Sequence, residues 1–295
     1  AKAPEWKSKA CWGQESILKS GSRSEKTGET VHFPYRNLVT GKNKGHMYTE
    51  TEGIVLKQTK IAAGRRMLVI FSKHYGKISA GTYISERGNN KSALALRPFA
   101  YGKYQIRRTG DYYHINGCET ISSHYSIGED IDKFLCASCG MEFTNKLLPE
   151  EAEAKKLFVL FSEFLDMMEK RTKKHETLLV GYQLKALALS GSAPLLDSCV
   201  MCGSKENLTG FSITDGGTLC EACKALKRNK ERLIYETDFD ILNVIKFLIQ
   251  KPLSQLENLA LGDSTLEKIK MILKDYAVCH LDIGGLKSEE CMNRR

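Results

Sequence analysis

The pattern of hydrophobic positions changes character twice along the chain. Over residues 1–46 no period is sustained, and Ser, Gly, Thr and Lys are frequent. From Glu52 to about Ser122 apolar residues recur with a period near two, and most are β-branched or aromatic, as half-buried strands require. The predicted strands are Gly53-Ile54-Val55-Leu56, Met67 to Phe71, Lys77-Ile78-Ser79-Ala80, Leu94-Ala95-Leu96, Tyr101 to Ile106 and Tyr112-Tyr113-His114-Ile115. Gly-centred turn signals at Gly64, Gly76, Gly88 and Gly110 separate most of them. Short strands at this density fit a closed barrel better than an open sheet, because closure removes exposed edges. An oligonucleotide-binding barrel, the OB-fold, is the predicted architecture.

After Gly128 the period becomes helical. Ile131, Phe134, Leu135 and Ser138 begin one helix, Ala154 to Met168 form a second, and Leu179 to Leu189 a third. Asp238 to Gln250 and Ser264 to Leu281 complete the set, the last opened by the capping-box pattern Ser264-Thr265-Leu266-Glu267. The fold class is therefore α+β, with an N-terminal OB-fold β-barrel over 47–127 and a mostly α-helical domain over 128–295. Residues 1–46 read as a non-native or disordered leader, with Met47 as the natural start. The apolar runs are interrupted by charge well short of the ~20 residues a bilayer demands. No secretory pattern marks the amino end, so the predicted compartment is the cytoplasm.

Between the third and fourth helices the chain reads CVMCG, then Gly203 to Leu219, then CEAC. Two pairs of cysteines, each with two residues between, can grip one tetrahedral ion from two tight turns, with the intervening length forming a loop or short hairpin. Cys199, Cys202, Cys220 and Cys223 are the predicted ligands of one structural zinc ion, within an embedded segment 198–224. Gly203 and Gly216-Gly217 supply the backbone freedom such turns need. Cys136 and Cys139 share the same spacing but lie in a helical pattern without a second pair nearby, and read as core residues.

Charge narrows the function. The net charge is +9, and residues 47–127 hold 12 basic and 5 acidic side chains, a balance of +7. Arg65, Arg66, Lys73, Lys77, Arg87, Lys91, Arg97, Lys103, Arg107 and Arg108 fall at predicted turns and strand ends, with Tyr83, Phe99, Tyr101 and Tyr104 interleaved. Cations that meet phosphates, beside aromatics that stack bases, are how such barrels bind nucleic acid. These ten residues are the candidate DNA contacts, and Lys224, Lys227, Arg228, Lys230 and Arg232 form a second basic run. Catalysis leaves no comparable trace: there is no phosphate loop, no HExxH and no GxSxG, so a non-enzyme is expected. A protein-gripping adaptor and a nuclease built from distant carboxylates are the rival readings.

The segments TEGIVLKQTK, RRMLVIFSKHYGKISA, LRPF, YQLKALALSGSAPLLDSCVMCG and GFSITDGGTLCEAC, in that order, resemble the RecO family of bacterial recombination mediators and DNA repair proteins. The resemblance runs from Met47 to about His280. It implies an OB-fold followed by a helical domain with zinc on the four cysteines, and DNA contacts centred on Arg87 and Lys91. It also implies binding of single- and double-stranded DNA, annealing of complementary strands, and action at the nucleoid with RecR and the tail of single-strand-binding protein to load RecA. The usual basic run of that loop is thinned here to RGNNK.

Overall fold

The computed structural model describes residues 48–294, apart from 62–64, 86–90, 111, 228–232 and 238. The expected leader lies outside these residues. Five strands close into a barrel: β1 (Thr49–Lys60), β2 (Arg66–Ser72), β3 (Gly76–Thr82), β4 (Tyr101–Thr109) and β5 (Tyr112–Ser122), in the order β1-β2-β3-β5-β4. β1 serves two neighbours. Its first half pairs with β4 and its second with β2, across a bulge between Val55 and Lys57 that bends the strand. A short parallel seam, Ala80 to Tyr113 and Gly81 to His114, joins β3 to β5.

Period-two alternation sorts the barrel residues to two destinations. Val55, Leu68, Ile70, Ile78, Ala80, Tyr104, Ile106, Tyr113 and Ile115 fill the interior. Ile54, Leu56 and Phe71 point outward into the core of the helices that follow, where Phe71 meets Phe158 edge-on at 5.3 Å. The predicted strand Leu94-Ala95-Leu96 is not a strand. The one-turn helix α1 (Lys91–Leu94) and the turn after it push Ala95 and Leu96 into the barrel, where Tyr104 donates its hydroxyl to the Ala95 carbonyl at 2.7 Å. Three apolar residues are too few to separate an alternating strand from a plug. Past the plug, Phe99 sits at φ 69° and β4 starts at Tyr101.

The helical part comprises α2 (Ile131–Leu147), α3 (Lys155–Lys170), α4 (His175–Leu189), α5 (Glu221–Lys227), α6 (Phe239–Gln250), α7 (Asp263–Leu281) and α8 (Lys287–Met292). α4 is buried on every side from Thr177 to Leu187, and packs against α2, α3, α6 and α7. Its charged Lys185 survives burial by donating to the carbonyls of Ile249 and Lys251 at the end of α6. Arg171 serves the same purpose for the carbonyls of Leu256, Glu257 and Leu259. The expected capping box does not form. α7 begins one residue early, at Asp263, which pairs with Lys174 at 2.7 Å, while Glu267 pairs with Lys270.

Barrel and helices meet at a polar junction. His124, buried and left-handed at φ 45°, sets Nδ1 3.0 Å from the Phe99 carbonyl and Nε2 2.9 Å from Asp166 of α3. Lys77 reaches Glu150 at 3.2 Å and the Asn145 carbonyl at 3.0 Å. No helix among the described residues is long and apolar enough to cross a membrane.

Candidate metal centre and nucleic-acid face

The cysteine segment folds as a small antiparallel sheet in the order β7-β6-β8, from β6 (Leu208–Ser212), β7 (Gly217–Cys220) and β8 (Ile234–Glu236). The hairpin between the cysteine pairs is as expected; β8 has no counterpart among the predicted elements. The first turn closes when Gly203 N–H donates to Cys199 O at 2.9 Å and Cys199 N–H to Ser204 O at 2.7 Å, with Gly203 at φ +74°. The second pair spans the end of β7 and the start of α5. The two are held together by the backbone, since Leu195 and Val200 exchange hydrogen bonds with Gly216 and Thr218 along the free edge of β7. A Cβ on Gly217 would lie 2.3 Å from the Leu195 carbonyl, so this close approach requires glycine.

The result brings the sulfurs of Cys199, Cys202, Cys220 and Cys223 within 4.8 Å of one another. A tetrahedral ion with metal–sulfur bonds of about 2.3 Å needs sulfurs ~3.8 Å apart, so the four thiols fit a metal ion. Burial works against ionising Cys199, but N–H groups of Cys220, Cys202 and Met201 aimed at it bring its thiol down to about 6. Cys223 is pushed up to about 12, first by its hydrogen bond to Cys220 and then by burial and its other sulfur neighbours. Four thiolates gathered without a cation repel one another, and a divalent ion relieves that repulsion. The pair Cys136 and Cys139 behaves as core: burial drives the first thiol up to about 12 and the second well above its usual range, and Gln183 donates to Cys139.

The barrel's cations fall into two groups. Arg65, Arg66, Arg107 and Arg108 gather on the far ends of β2 and β4, away from Lys73 and Lys77. No carboxylate among the described residues forms an ion pair with Arg65 or Arg107, whereas Arg108 pairs with Glu151 at 3.2 Å. Arg66 donates to the Ile84 carbonyl. Lys73 is held by Glu52 at 2.8 Å, Lys77 is only 14 % exposed and tied to Glu150, and Lys103 lies in register between Glu52 and Glu119. Arg97 is half-buried just before the turn at Phe99. Arg87 lies outside the described residues, and of Lys91 only the backbone, opening α1, is described. In the second basic run Lys224 pairs with Glu221 and Lys227 with Asp215; residues 228–232 lie outside the described residues.

The aromatics divide more sharply. Tyr104 fills the barrel interior, Phe99 packs on Phe134, and Tyr101 packs on Phe158 while its hydroxyl donates to Glu52 at 2.7 Å. These three cannot stack bases, because period-two alternation and the helical cover claim them. Tyr83 is 70 % exposed, with the Arg65 guanidinium 5.2 Å from its ring centre. Tyr112, 71 % exposed, is absent from the sequence-based candidates. Its neighbour Tyr113 faces inward, so strand parity alone places Tyr112 outside.

Comparison with known proteins covers nearly all of the described chain. Residues 47–124 match the family model "Recombination protein O N terminal", and residues 128–290 match "Recombination protein O C terminal". A DNA repair protein RecO from Thermoanaerobacter sp. (strain X514) is 32 % identical over 244 residues, which is 83 % of this chain and 96 % of that protein. Proteins of the same name from Caldanaerobacter subterraneus subsp. tengcongensis and Alkaliphilus metalliredigens are each 29 % identical, over 236 and 247 residues. The matches cover 80 % and 83 % of this chain and 94 % and 98 % of those proteins.

Proposed function

The chain belongs to the RecO family of DNA repair and recombination proteins, and from that premise we propose that it is a cytoplasmic recombination mediator without a catalytic step of its own. It binds single- and double-stranded DNA through the barrel, anneals complementary strands, and with RecR and the tail of single-strand-binding protein helps load RecA. The observation that carries this reading is the pair of arginines, Arg65 and Arg107, which pair with no carboxylate among the described residues, on a barrel whose sequence holds an excess of seven positive charges. Cations that neutralise phosphates on two strands reduce the repulsion between them, so complementary bases can meet without nucleotide hydrolysis.

The ion for the four cysteines is zinc, in a structural role. Four thiolates complete its tetrahedron and leave no position for water or substrate. Cys199, Cys202, Cys220 and Cys223 would hold it, and what it supplies is folding free energy for the small sheet.

Annealing of labelled complementary strands, bare and coated with single-strand-binding protein, tests the reading. Acceleration that weakens as salt rises is the expected result; no acceleration in dilute buffer would refute it. Incubation of labelled DNA with magnesium or manganese should leave the strands intact.

A further inference from the structure

The outward side of β3, β5 and β4 differs from the outward side of β1 and β2. Ser79, Tyr83, Gln105, Tyr112 and Asn116 all point to solvent there, where Ile54 and Phe71 on the other side are sealed under helices. The register sets one row across four strands: Met67, Gly81, His114 and Arg107 lie side by side. Two residues beyond Gly81 stands Tyr83, with Arg65 against its ring; two residues before His114 stands Tyr112. Since β3 and β5 run parallel, the two tyrosines are four residues apart along the sheet, about 13 Å at ~3.3 Å per residue. That is about four base steps of a stacked strand at ~3.4 Å each. Gly81 lies between them, flanked by the Arg65 and His114 side chains: a Cβ there would meet Arg65 Nη2 at 3.7 Å and His114 Nδ1 at 4.0 Å, ordinary contact distances.

We propose that this face is a single-strand-selective DNA subsite, in which Tyr83 and Tyr112 stack unpaired bases while Arg65 and Arg107 meet the phosphates of the same strand. It rests on the reading of the barrel as the DNA-binding part and adds the preference for single strands. Stacking on an aromatic ring requires a base face that a duplex keeps against its neighbours, whereas a phosphate is available in either form. The tyrosines therefore discriminate between single strand and duplex, and the arginines do not.

The test uses the full chain and fluorescence anisotropy with one dye-labelled mixed-sequence strand, alone and annealed to its complement, across a salt series. Tyr83→Ala combined with Tyr112→Ala should weaken single-strand binding by about tenfold or more, keep its salt slope, and shift duplex binding by less than about twofold. Tyr83→Phe with Tyr112→Phe should restore single-strand affinity, because the ring and not the hydroxyl is the contact. Arg65→Gln or Arg107→Gln should weaken both forms and reduce the salt slope by about one each. Equal losses on both forms in the alanine variant, no loss at all, or no rescue by phenylalanine would overturn the subsite alone. A wild-type chain that binds neither form would instead refute the broader reading, and the subsite with it. Unchanged thermal melting establishes that each variant is folded.

Discussion

The molecule contains two sheets that solve the same problem at different scales. The barrel closes its hydrogen-bond ladder on itself and buries a row of large side chains, among them Leu68, Ile70, Tyr104 and Ile115. The sheet β7-β6-β8 has strands of only three to five residues, and the cluster around its cysteines adds little beyond Leu219, Val200, Leu208 and Ile234. So small a sheet cannot bury enough apolar surface to be stable alone. On one side it carries the four cysteines that fit a metal ion, and on the other it leans on α7, where Phe211 meets Tyr276 at 6.2 Å, His280 meets the Ile213 carbonyl and Tyr235 donates to Asp275. The segment thus docks on α7. Closure makes a sheet self-sufficient; an open one depends on its neighbours.

Removing the metal should separate the two sheets most. In small zinc-dependent domains the metal contributes on the order of 10 kcal/mol of folding free energy. Chelation, or Cys220→Ser, should abolish the bound metal and raise amide exchange across residues 198–236 by orders of magnitude, while β1 to β5 keep their protection. Exchange mass spectrometry reads both regions at once, and equal loosening of the barrel would break the comparison.

Core truncation comes next. Phe211→Ala should cost about 3–5 kcal/mol and also weaken metal retention, because it cuts the sheet from α7. Leu68→Ala in the barrel should cost about 2–5 kcal/mol with the metal content unchanged. Denaturant melts paired with metal analysis distinguish the two. A finer probe is Tyr104→Phe, which leaves the buried Ala95 carbonyl without its donor and should cost about 1–3 kcal/mol in the barrel only.

The smallest effect concerns pH. Hydrogen bonds from Lys73 and then Tyr101 hold the Glu52 carboxyl below the usual carboxylate range. Its contribution is therefore present above the unfolded pKa of about 4.3 and is lost as pH falls through the lower folded value. The group is partly solvated, so the effect is under about 1 kcal/mol. Melting temperatures of the wild type and Glu52→Gln should differ near neutrality and converge in acid; a constant gap would assign the difference to packing.

Much of this architecture was legible from local pattern. Alternation located all five barrel strands, and the cysteine spacing foretold the cluster, because each pair spans only four residues of chain. α4 was legible as a helix but not as the central one. Its burial all round comes from α2, α3, α6 and α7, which no local window contains. Leu94-Ala95-Leu96 and the capping box at Ser264 misled for the same reason, each being a short signal overruled by a distant partner.

By itself the sequence determined the order of barrel and helices, the four cysteines of the candidate metal centre and the sign of the barrel's charge, since each is set by residues near one another in the chain. Only the tertiary structure decided which charges remain free and which rings stay exposed. Glu150 lies 73 residues beyond Lys77 and neutralises it, Phe158 covers Tyr101 from another element, and among the described residues no carboxylate pairs with Arg65 or Arg107, while the rings of Tyr83 and Tyr112 stay exposed. Electrostatic compensation and burial are properties of neighbours in space, and the chain brings those neighbours together only by folding.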